Sequence, residues 1–79
     1  MKYAKERKLA KEVLLNKLGY APSLENIIPL ESEHNHGICN YVLFTIRGGN
    51  ANVQYRAGTS FLVMEQLDSE GNSVKEVQF

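Results

Sequence analysis

Five residues with metal-binding or acid–base side chains crowd one stretch of this 79-residue chain: Glu31, Glu33, His34, His36 and Cys39. In an extended segment His34 and His36 stand on the same side, and Cys39 is close enough in sequence to complete a zinc or copper site with them. Structural zinc sites take four ligands, usually in Cys or His pairs of set spacing, and this stretch offers three plausible ones. It reads better as a polar turn with two solvated histidines, so neither metal nor cofactor is expected. Cys39 has no base placed beside it that would make it a nucleophile.

The other candidates have equally plain readings. Gly48-Gly49-Asn50 is glycine-rich, but a phosphate cradle needs a helix N-terminus after its glycines, and residues 52–57 read as a strand. Ser60 and Ser73 flank turns, with no matched His or Asp. Glu65 and Glu76 are expected to face each other across two strands, where like charges repel, and to splay into water. No residue set matches a catalytic pattern, and the chain is expected not to be an enzyme.

Charge offers a second kind of chemistry. The formal net charge is zero. Residues 1–20 nevertheless hold six basic and two acidic side chains, a net of +4, and residues 21–79 hold three basic and seven acidic ones, a net of −4. Lys5, Lys8 and Lys11 make the first segment a candidate nucleic-acid surface, although Lys5 and Lys8 share one side with Glu12 while Lys11 falls on another with Arg7. Arg47 and Arg56 near Tyr41 and Phe61 resemble an aromatic-plus-basic platform for RNA, opposed by the acidic neighbours Glu65 and Glu76.

The elements that hold these side chains follow from periodicity. Residues 2–18 predict a helix, rich in Ala, Leu, Lys, Glu and Arg and free of Gly and Pro. Tyr3, Leu9, Ala10, Val13, Leu14 and Leu18 lie on one arc, with Leu15 outside it. Gly19 suits a left-handed C-terminal cap, Tyr20 is placed to pack back on Leu14 or Leu15, and Pro22 forbids continuation. No capping residue precedes the helix, so its first turn should fray. Residues 26–33 predict an edge strand, because Pro29 lacks the N–H that a central strand needs.

The run Asn40-Tyr41-Val42-Leu43-Phe44-Thr45-Ile46-Arg47 is the densest in β-branched and aromatic residues and predicts an interior strand. Two-residue turns at Gly49-Asn50 and Gly58-Thr59, then a four-residue loop 69–72, set Ile46 against Val53, Phe44 against Tyr55, Val42 against Ala57, Tyr55 against Leu62, Val53 against Met64, Met64 against Val77 and Leu62 against Phe79. The fold class expected is α+β: an N-terminal helix packed on one face of a five-stranded antiparallel β-meander, in a single domain over 1–79 (helix 2–18, sheet 26–79). Ile28, Leu30, Val42, Phe44, Ile46, Val53, Tyr55, Leu62, Met64, Val77 and Phe79 should face the helix.

Alternation then turns Tyr41, Leu43, Thr45, Arg47, Gln54, Arg56, Phe61, Val63, Glu65, Leu67, Val74 and Glu76 to the other face. That face is too apolar for water alone, and one helix cannot cover both. A domain this small is short of core, and one cysteine excludes an internal disulfide. The expected function is therefore a small non-enzymatic protein-interaction module, of a regulator or inhibitor type. It would bind a protein partner or itself, as a homo-oligomer and most simply a dimer, through Tyr41, Leu43, Arg47, Arg56, Phe61 and Val63. Nucleic-acid binding through Lys5, Lys8 and Lys11 is the alternative. No apolar run approaches the roughly 20 residues of a membrane span, and no secretory signal is evident, so a cytoplasmic location is expected.

Overall fold

The computed structural model describes residues 1–30 and 41–79. The polar stretch with Glu31, Glu33, His34, His36 and Cys39 lies outside the described residues, as does the end of the predicted first strand.

The helix α1 spans Ala4–Leu18. It starts later than the sequence suggests, because Tyr3 takes a left-handed conformation (φ 59°) and no side chain caps the N-terminus. Arg7 braces this end: its Nε donates to the Lys2 carbonyl (2.8 Å) and its Nη1 to the Leu24 carbonyl (3.0 Å). Gly19 closes the other end at φ 83°, where its N–H donates to the Leu15 carbonyl at 3.0 Å. Leu15 is 47% exposed, as its position off the arc requires. Tyr20 does not pack back on the helix and is 70% exposed.

A single 3-10 turn, Leu24–Asn26, leads into a five-stranded antiparallel sheet in chain order: β1 Ile27–Pro29, β2 Tyr41–Ile46, β3 Val53–Gly58, β4 Leu62–Leu67 and β5 Ser73–Gln78. The sheet is open, not closed into a barrel. α1 lies over β1, β2 and β3 and reaches β4. Ala10, Val13 and Leu14 are buried against Ile27, Val42, Phe44, Ala57 and Leu62. Ala57, which carries a single methyl, lets the helix come close, and Phe44 stacks on Tyr55 with ring centroids 5.3 Å apart. Burial of this cluster is the main source of stability.

Two of the three expected hairpin registers hold. Phe44 faces Tyr55 and Val42 faces Ala57, although the connection is two successive turns rather than one tight one. The Gly49 N–H donates to the Ile46 carbonyl and the Val53 N–H to the Asn50 carbonyl, and it is Gly48, not Gly49, that takes a positive φ. Met64 faces Val77, and the Phe79 N–H donates to the Leu62 carbonyl, as expected, but the loop itself differs. The Asp68 N–H donates to the Asn72 carbonyl, which leaves three residues in the turn, and an irregularity between Gln66 and Leu67 takes up the extra residue.

The middle hairpin is displaced by two residues. Thr59 and Ser60 form the turn, Gly58 pairs with Phe61, and Tyr55 therefore faces Met64 rather than Leu62, while Val53 faces Gln66 rather than Met64. A slip of two residues leaves every side chain on its expected face. The first strand differs in parity: Ile27 and Pro29, not Ile28 and Leu30, face the helix, paired with Ile46 and Phe44. β2 turns the backbone groups of Leu43 and Arg47 toward β1, where they meet Leu30 and Asn26. A β1 residue opposite such a position must donate, and Pro29 cannot. It fits opposite Phe44, with its missing N–H on the open border.

Candidate interaction surface

The outer face is built in cross-strand rows. Leu43, Arg56, Val63 and Gln78 stand side by side across β2, β3, β4 and β5. Gln54, Glu65 and Glu76 form the adjacent row. On the other side of the first row Tyr41 pairs with Gly58, and Phe61 is the cross-strand partner of Gly58. The Phe61 ring lies on Gly58: a methyl group there would overlap the ring, so the glycine is needed for this close approach. Tyr41, Leu43, Phe61 and Val63 are all half-buried. Strand alternation thus brings together five of the six residues expected to form a contact surface. Arg47 stands apart, exposed at the far end of β2 from Tyr41.

Glu65 and Glu76 do face each other, but they do not simply splay into water. Arg56 joins them. Its Nε lies 2.5 Å from Glu65 Oε1, and its Nη2 donates to Glu76 Oε1 at 3.1 Å. The Nε–H is not aimed along its contact, which is therefore ionic rather than a hydrogen bond. Gln54 Nε2 donates to the second Glu65 oxygen at 3.3 Å. Glu65 is 8% exposed, the one buried charged side chain among the described residues. A cation beside it offsets the cost of removing a carboxylate from water.

Tyr55 and Asp68, whose titration is displaced, lie elsewhere. Tyr55, on the helix side, is raised above its ordinary value by burial and then by the Tyr20 phenol. Asp68, in the turn between β4 and β5, is held below the usual carboxylate value, chiefly by the Asn72 backbone N–H and also by that of Glu70. Asp68 Oδ1 accepts from both N–H groups at 2.9 Å.

On the helix, Lys5 and Lys8 are exposed and Lys11 is half-buried. Arg7 is occupied in bracing the helix start. Among the described residues no group of His, Cys, Asp and Glu side chains is placed to hold a metal ion, and no helix is long and apolar enough to cross a membrane.

In comparisons with protein-family models, with curated proteins and with solved structures, the chain has no significant match.

Proposed function

We propose that the chain is a small non-enzymatic interaction module that binds a protein partner through the outer face of its sheet. One observation carries this reading. The helix lies on the opposite face, and the row Leu43–Arg56–Val63, with Tyr41 and Phe61 beside it, forms a partly exposed apolar and aromatic patch around an ionic centre. Such a composition suits a contact surface: apolar and aromatic anchors give up water readily, and a charged centre fixes orientation. Action as a regulator or inhibitor fits a protein whose working part is a surface rather than a cleft. The cytoplasm suits a chain with one cysteine and no internal disulfide.

Leu43→Asp and Val63→Asp, each checked for folding by circular dichroism, test the reading beside a helix variant in which Lys5, Lys8 and Lys11 are replaced by Glu. In capture from lysate of the source cells, the helix variant should retain the same specific protein as the original chain, and the two sheet variants should lose it. Capture that survives both sheet variants and fails with the helix variant, together with a low-salt gel shift on RNA or DNA, overturns the proposal in favour of nucleic-acid binding.

A further inference from the structure

The two borders of the sheet are built differently. β1 is three residues long, and Pro29 turns a position without an N–H to the open side. That border resists pairing. β5 is six residues long and contains no proline, and five of its six side chains are exposed. Its ladder with β4 is irregular at its start, beside Ser73 and Val74, and regular from Lys75 onward. The Phe79 N–H donates to the Leu62 carbonyl. By alternation Val77 and Lys75 also bond to β4, and the backbone groups of Glu76 and Gln78 point outward. Val74 is 60% exposed and Phe79 42%.

We propose that this border pairs with the same border of a second copy, antiparallel about a two-fold axis normal to the sheet, in the register that sets Val77 against the partner's Val77. Two-fold pairing allows three registers that align five or more of residues 73–79, centred on Lys75, Glu76 or Val77. The first puts Lys75 against the partner's Lys75, and the second puts Glu76 against the partner's Glu76. Like charges directly opposite disfavour both.

The third has no such conflict. Glu76 meets the partner's Gln78, whose amide can donate to the carboxylate, and Lys75 meets the partner's Phe79, along which its alkyl stem can lie. The helix side gains most. Phe44, Tyr55, Met64 and Val77 already form one cross-strand row, and the axis continues it into the partner's Val77. The apolar row then runs unbroken through a ten-stranded sheet. Both outer faces lie on the same side of that sheet, which doubles the surface proposed above. The inference stands on the β5 border and does not depend on that surface binding a partner.

Sedimentation velocity at tens of micromolar should give twice the 8.9 kDa of one chain. Gln78 is exposed, so its variants should fold. Gln78→Lys, facing the partner's Glu76, should tighten the dimer about fivefold, and Gln78→Glu should weaken it by a similar factor, both effects shrinking with added salt. In a Cys39→Ser background, Val77→Cys should form an interchain disulfide under mild oxidation faster than Lys75→Cys. A chain that stays monomeric to about 100 µM overturns the inference. So does a dimer on which the two Gln78 variants act alike, or one that Leu43→Asp dissolves while Gln78→Glu does not.

Discussion

Arg56 has the most demanding position of any single side chain here. It stands between two carboxylates that the backbone holds face to face, one of them buried. Arg56→Met should destabilise the fold by about 1–3 kcal/mol, because Glu65 is left desolvated without its cation. Arg56→Met/Glu65→Gln should recover part of that loss, and urea denaturation of the two variants measures the difference. Equal losses would show that the Glu65 charge costs nothing when left without its cation. The triad was hidden in the sequence by the displaced middle hairpin. With Gly58-Thr59 as the turn, Glu65 falls opposite Asn52, four residues from Arg56. In the observed register Glu65 is opposite Gln54, two residues from Arg56 and within reach of its side chain. A glycine followed three positions later by an aromatic is the signal that marks Gly58 as a strand residue beneath a ring.

Elements with strong local signals were legible: α1 from composition and Gly19, and β2 from its β-branched and aromatic run. The β4–β5 register was legible as well, but not the shorter turn and the irregularity between Gln66 and Leu67 that produce it. The faces of β2 to β5 were legible too, since a two-residue slip does not change them. The parity of β1 was not read, yet its signal was present. In a two-residue hairpin after β2, Phe44 and Ile46 spend their backbone groups on β3, so Pro29 must stand opposite one of them. The β4–β5 turn supplies an element-scale prediction. Asp68 is held below its ordinary value of 3.8 by backbone N–H groups of its own turn. A carboxylate lowered on folding stabilises the fold above its unfolded pKa, and that contribution is lost as pH falls through the folded value. Asp68→Asn should therefore lower the thermal midpoint at pH 6, with the gap from the original chain closing below pH 3.8. A gap independent of pH would assign the effect to turn geometry alone.

Among the described residues, the molecule is a sheet with cover on part of one side. The helix rests on β1 to β3 and reaches β4, and β5 has almost every side chain exposed. Contact density, and with it resistance to opening, is therefore uneven along the sheet. The last hairpin should behave as a separate cooperative unit that detaches while the helix and first strands stay assembled. In native-state hydrogen exchange of the dilute protein, the amides of Lys75, Val77 and Phe79 should exchange at a lower free energy than those of Val42 and Phe44. Equal values would make the whole sheet a single foldon. If the detached hairpin is also the segment that joins two copies, assembly raises the stability of the part that is weakest alone. Protection of β5 would then rise with protein concentration while that of β2 stays constant.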